Sequence, residues 1–258
     1  MRAIPTSMIV VLTLLAGCQE PHEPMGVDDR PRLGMARGEA PAEGRAQAQP
    51  TERRVAPRPT PRPADPTVAP RPPAQDVVEG DQRAPATFTA RLDTTAGPID
   101  IEVHRDWSPH GADRFYTLVR EGYFTDVAFF RVISGFMAQG GIHGDPNVAG
   151  QWRNRRIPDD PVVQSNRRGF VSFAMAGPGT RTTQFFINLV DNTRLDGMGF
   201  SAFGQVRDMT TVDALYSGYG EGAPSGRGPA QGRIQAEGNA YLRRDFPELS
   251  YIRSASIL

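Results

Sequence analysis

The chain has 258 residues whose 29 basic side chains, all arginine, balance 29 acidic ones, so no basic surplus points to a nucleic-acid partner. Its one cysteine, Cys18, excludes an intramolecular disulfide and any cysteine-built metal site. No Phe, Tyr or Trp precedes Phe88, so a core begins near residue 87, and residues 87–258 suffice for one sizeable core.

Arg2, an apolar segment from Met8 to Leu15 and then Leu15-Ala16-Gly17-Cys18 read as a secretory signal at residues 1–18. The apolar part is about half of the roughly 20 residues a spanning helix needs. Leu-Ala-Gly-Cys resembles the bacterial lipoprotein signal, which implies a lipidated Cys18 as the first mature residue. By the same resemblance Gln19, where an aspartate would retain the protein at the inner membrane, implies the outer membrane. The membrane is then met through the lipid alone, on the periplasmic side of the cell envelope. The alternative is an ordinary cleaved signal with an incidental Cys18.

Residues 19–86 hold 14 of the 24 prolines and no aromatic residue. Proline removes backbone donors and disfavours helix before it, and nothing here offsets the entropy of ordering, so a disordered tether is expected. It would span roughly 200 Å as polyproline and about 50 Å as a coil. Ten arginines matched by eleven acidic residues favour a spacer over a docking or peptidoglycan-binding arm.

From Phe88 the period is two: Phe88, Ala90 and Leu92, a turn at Ala96-Gly97-Pro98, then Ile99, Ile101 and Val103, a β-hairpin with one buried face. Ser108-Pro109 reads as an N-cap and first helical residue, and Phe115, Leu118 and Val119 keep helical spacing until Gly122. Two strands follow in 129–141, joined at Gly135. His143–Pro161 reads as a long surface loop, with His143-Gly144-Asp145 a turn. Strand character returns at Phe170–Ala176 and at Gln184–Leu189. In the second, Phe185, Ile187 and Leu189 share a buried face, while Gln184, Phe186 and Asn188 make a partly apolar binding face. Phe203–Val206 is another strand, Thr211–Tyr216 a short helix, 218–231 a glycine-rich loop and Tyr251–Ile257 a final strand. Many short strands and about two helices imply an antiparallel sheet closed on itself.

Arg131 is the anomaly, with Phe129 and Ile133 expected on its own face and Phe130 and Val132 on the other. A guanidinium cannot lose its proton, so on such a surface it needs an anion, carbonyls or a ligand. It is either an edge arginine paired with a carboxylate or a cation that serves a binding site.

Phe130-Arg131-Val132-Ile133 with Gly135–Gly141, Ala174–Pro178 with Gln184–Ile187, and Leu195-Asp196-Gly197 with Phe203-Gly204 together resemble the signature blocks of the cyclophilin-type peptidyl-prolyl isomerases, in order and spacing across 87–258. The resemblance implies a closed eight-stranded antiparallel β-barrel capped by two helices. It implies Arg131 as the catalytic residue, and Phe136, Met137, Phe186 and Leu195 as the pocket for a substrate proline. Gln139 and Gln184 would hold peptide carbonyls, the backbone of Ala174 and Met175 would pair with the peptide, and Phe200 would join the pocket. The chain departs from the family at Phe130 (histidine), Ser134 (proline), Met175 (asparagine) and Arg194 (tryptophan), the last bearing on inhibitor binding. The implied function is acceleration of X–Pro isomerisation in exported, proline-containing polypeptides, by a monomer with no cofactor and no metal. The competing reading is a non-catalytic proline-peptide module or chaperone. A metal hydrolase is disfavoured, because the four histidines show no paired-ligand spacing. The isomerase reading requires an apolar notch beside Arg131; an arginine locked to an acid with no notch would leave only the fold.

Overall fold

A computed structural model describes residues 78–258. The signal at 1–18 with Cys18, and the tether through residue 77, lie outside the described residues.

Alternation builds the first hairpin: β1 (Thr87–Thr94) and β2 (Gly97–His104) pair in register from Thr87–His104 to Thr94–Gly97. Ala90, Leu92, Ile99, Ile101 and Val103 point into the core and are at most 1% exposed. Helix α1 (Pro109–Arg120) then lays Phe115, Leu118 and Val119 across the sheet. Its cap differs from expectation. Ser108 stands at the N-cap position without capping through its side chain. Its Oγ donates to Asp160, whose carboxylate accepts the N–H groups of His110 and Gly111 from fifty residues away.

The packed unit starts ahead of residue 87. Asp81 pairs with the buried Arg114, the Ala84 N–H donates to Asp113, and Ala84 is buried in the main core.

Further strands are β3 (Val127–Ala128), β4 (Arg131–Ile133), β5 (Met137–Gly140), β6 (Phe170–Phe173), β7 (Phe185–Asn188), β8 (Ala202–Val206) and β9 (Tyr251–Ile257). They form one antiparallel sheet of nine strands in the order β3-β9-β1-β2-β8-β6-β7-β5-β4. The chain is mainly β as expected, but the sheet closed on itself, an eight-stranded barrel, is corrected: the nine strands form an open, curled sheet. The two ends of the sheet, β3 and β4, are joined by the chain itself through Phe129 and Phe130 rather than by a ladder. The outer side of β4 is met instead by Gly220, which bridges to Val132.

Helices also exceed the expected two. The 143–161 loop contains α2 (Pro146–Trp152), capped by Asp145, whose Oδ1 accepts the Asn147 N–H. The Asp145 N–H donates to His143 Nδ1, closing the expected turn. The short helix read at 211–216 is the single turn α3 (Thr210–Asp213). Past the glycine-rich loop lies α4 (Gln231–Asp245), kinked at Gly238, which the sequence reading missed. It packs Ile234, Tyr241 and Leu242 with Phe130, Ala149 and Tyr251 into a second core.

Candidate active site

Strands β4 and β5 make a hairpin about Gly135, whose φ of +75° suits the tight turn. The register sets Arg131 opposite Gln139, and Gln139 opposite Phe186 on β7. These three residues therefore lie side by side on one face of the sheet. Phe129 does not share that face as expected; it belongs to the main core, because residues 129–130 lie between strands and break the alternation.

On that face Met137, Phe186, Leu195 and Phe200 form a separate apolar cluster, rimmed by Ile133, Phe136, Ala174 and Met175. Every apolar side chain assigned from the sequence to proline binding is in it, Phe200 included; Ile133 is the member not foreseen. Phe186 and Phe200 meet edge to face at 5.6 Å between ring centres. Leu195 rides on a short 3-10 helix, Thr193–Met198, held by Asp196, which accepts Ser165 Oγ and both the N–H and Nδ2 of Asn166. Burial pushes the Asp196 carboxyl up, but these hydrogen bonds outweigh it and hold it below the ordinary range. Asn166 Nδ2 also donates to the Phe200 carbonyl, so one asparagine ties together the segments that carry Leu195 and Phe200.

Arg131 is 7% exposed and borders this cluster. Its Nε and Nη2 donate to the two carboxylate oxygens of Glu221 at 2.5 and 2.6 Å, and its Nη1 to Gln139 Oε1 at 2.9 Å. Nη1 also stands 3.9 Å from the sulfur of Met137 in the apolar cluster. The arginine is thus paired with an acid and set beside a cluster of apolar side chains at once. Burial raises the Glu221 carboxyl, but the Arg131 hydrogen bonds and charge, with the Gly222 N–H, hold it below its usual value. Sequence reasoning missed Glu221. The available signal was one carboxylate between Gly220 and Gly222, in a loop with no other acid.

The polar chain continues: Gln139 Nε2 donates to Gln184 Oε1 at 3.0 Å. Gln139 thus has its oxygen occupied inside the site, whereas no partner among the described residues takes the Gln184 Nε2 group. The Ala174 N–H is bonded to the Gln184 carbonyl, so of Ala174's backbone only the carbonyl is left for a peptide. Asn188, expected on the binding face, is buried in a network with Asn166 and Asn192. Arg194 lies over the Phe136 ring at 4.8 Å, and Arg131 flanks the same ring at 5.8 Å. Two surface clefts, of about 190 and 380 Å³, lie elsewhere and contain neither Arg131 nor any member of the apolar cluster.

A buried cation and two amides beside an apolar cluster is an arrangement that can hold a peptide and polarise one of its bonds. The family described as Cyclophilin type peptidyl-prolyl cis-trans isomerase/CLD matches residues 89–231. The peptidyl-prolyl cis-trans isomerase-like 1 of Rhizopus delemar is 40% identical over 127 residues, covering 47% of this chain and 74% of that protein. A peptidyl-prolyl cis-trans isomerase of Helicobacter pylori is 32% identical over 129 residues, covering 50% of this chain and 79% of that protein. A crystal structure of a cyclophilin type peptidyl-prolyl cis-trans isomerase from Cryptosporidium parvum superposes with a TM-score of 0.50 at 23% identity, over 67% of this chain and 98% of that one, and bears on the fold alone. The chain belongs to the cyclophilin-type peptidyl-prolyl cis-trans isomerases.

Proposed function

We propose that this isomerase turns X–Pro bonds in exported polypeptides, with Arg131 as the catalytic cation and the cluster around Phe186 as the proline seat. The observation that carries the assignment is the meeting of the Arg131 Nη1 group with Met137 of the apolar cluster. Nitrogen lone-pair donation gives the peptide C–N bond double-bond character and a rotation barrier of about 18–20 kcal/mol. Pyramidalising that nitrogen frees the lone pair, and an N–H donor beside it stabilises the twisted state selectively. Arg131 is permanently charged, and its apolar surroundings weaken screening. Phe136, Met137, Phe186, Leu195 and Phe200 would grip the ring, with Gln184 Nε2 on the peptide carbonyl and Gln139 aiming the arginine. Met175 would line the rim and offer its backbone to the peptide.

The address rests on sequence. Residues 1–18 with Cys18 support a lipid anchor, and the proline-rich 19–86 supports a spacer that lifts the domain from an outer membrane into the periplasm. Palmitate labelling of the full chain in a bacterial host, lost in Cys18→Ala, tests this; equal labelling of the two would refute it.

A non-catalytic peptide module is the second reading, favoured by the sharing of the Arg131 charge with Glu221. Exchange NMR on a Xaa-Pro peptide separates binding from turnover. The parent is expected to isomerise bound peptide, and Arg131→Ala to do so at least about a hundredfold more slowly, with affinity within about threefold. Arg131→Ala at the parent rate would remove the assignment. A parent that binds without turnover would establish the second reading.

A further inference from the structure

Glu221 reaches Arg131 from ninety residues away, and its loop is built to deliver it. Gly220 bridges to Val132, beside Arg131 on β4, and so pins the near end of the loop to the site. Gly222 bridges to Gly228, and the Gly228 N–H donates to the Glu221 carbonyl at 2.8 Å. The Gly222 N–H donates to the Glu221 carboxylate at 2.8 Å, fixing the side chain as well. A Cβ on Gly226 would strike the Glu221 backbone oxygen, so the loop closes about this residue as tightly as glycine allows.

The geometry of the grip is selective. The carboxylate covers the Nε and Nη2 edge of the guanidinium, and Gln139 takes one N–H of Nη1. Of the five N–H groups of an arginine, three then have strong acceptors. On the notch side Nη1 meets only the sulfur of Met137, a weak acceptor that an incoming peptide displaces at small cost. The fork at the back therefore determines which way the free donors at the front point.

We propose that Glu221 is a positioning residue for catalysis: it clamps the rear edge of Arg131, compensates its buried charge and so aims Nη1 at the imide nitrogen of a proline seated in the notch. This rests on Arg131 being the catalytic cation.

The test uses the full chain and exchange NMR with a Xaa-Pro peptide, which reads affinity and the rate of the bound peptide separately. Glu221→Gln keeps the shape but sets an amide donor against a guanidinium donor. Gly226→Ala displaces Glu221 without touching its charge. Both variants are expected to bind within about threefold of the parent and to isomerise bound peptide roughly ten- to a hundredfold more slowly. In both, the Arg131 Nε–H resonance should move upfield and exchange faster with water, a signature that a general loss of stability leaves unmoved while the domain is folded. Glu221→Gln at the parent rate, or faster, with Arg131→Ala slow, would overturn the positioning role; a faster variant would show that the carboxylate damps the arginine. Arg131→Ala at the parent rate would instead remove the reading on which the role rests.

Discussion

Asp160→Ala should be among the most damaging single substitutions outside the site, and its cost can be worked from the structure. The carboxylate is buried and accepts Ser108 Oγ at 2.6 Å, the N–H groups of His110 and Gly111 at 3.2 and 3.0 Å, and Arg181 Nη2 at 3.0 Å. Removing a helix N-cap costs about 1 kcal/mol. Stripping a buried cation of its partner costs about 3–5 kcal/mol. Arg181 is itself buried, but it keeps Asp159 at 3.5 Å and the Pro158 carbonyl, so the lower end applies. The sum is about 4 kcal/mol, or roughly 8–16 °C in melting temperature for a domain of this size. Thermal unfolding of the full chain, followed by circular dichroism at neutral pH, reads it directly. Adding Arg181→Met should recover part of the loss, because most of the cost lies in the stranded charge. A melting point within about 3 °C of the parent, or a double variant weaker by the full sum of the singles, would refute the reasoning. The Asp160 side chain touches no wall of the notch, so the rate on bound peptide should hold at temperatures where the variant is folded.

Gln139→Leu removes the acceptor of Arg131 Nη1 and the donor to Gln184; bound-peptide isomerisation should fall about tenfold with affinity within about threefold, by the same exchange NMR. Asp196→Ala releases the turn that carries Leu195 and should act the other way round, weakening peptide affinity measured by calorimetry more than it slows bound peptide. The Glu102 carboxyl is lowered to about 2, first by its hydrogen bond from Arg207 and also by His104, with burial opposing. Its folded value lies below its ordinary 4.5, so its contribution to stability is whole above that pH and fades as pH falls toward 2. A carboxyl titration by NMR should find the depressed value in the parent and one near the ordinary range in Arg207→Ala.

Much of the fold was legible because its signals are local. The β1–β2 hairpin shows strict alternation over both strands, and α1 carries proline at its start and Gly122 just past its end. Helix α4 was hidden for physical reasons. Gly232 and Gly238 lie within it, its charged residues are as many as its apolar ones, and its buried face is little more than Ile234, Tyr241 and Leu242. Sheet closure is not a local property at all. Alternation says that a strand has a buried face, but not whether the two ends of the sheet pair, and here β3 and β4 do not: the chain connects them through two phenylalanines.

The site divides along the same line. Its apolar wall was readable because alternation puts Phe186 on the face away from the core, and the resemblance of the signature blocks implies Phe136, Met137, Leu195 and Phe200. The partner of Arg131 was not, since a buried guanidinium demands a counter-charge but does not say which carboxylate supplies it. The sequence left two readings of Arg131, an ion-paired edge residue or a cation serving a ligand, as though they were rivals. They are compatible because a guanidinium has more than one donating edge. An arginine offered to a ligand through Nη1 can be buried at this depth only if Nε and Nη2 are satisfied from behind, so the ion pair is a condition of the functional reading rather than an argument against it.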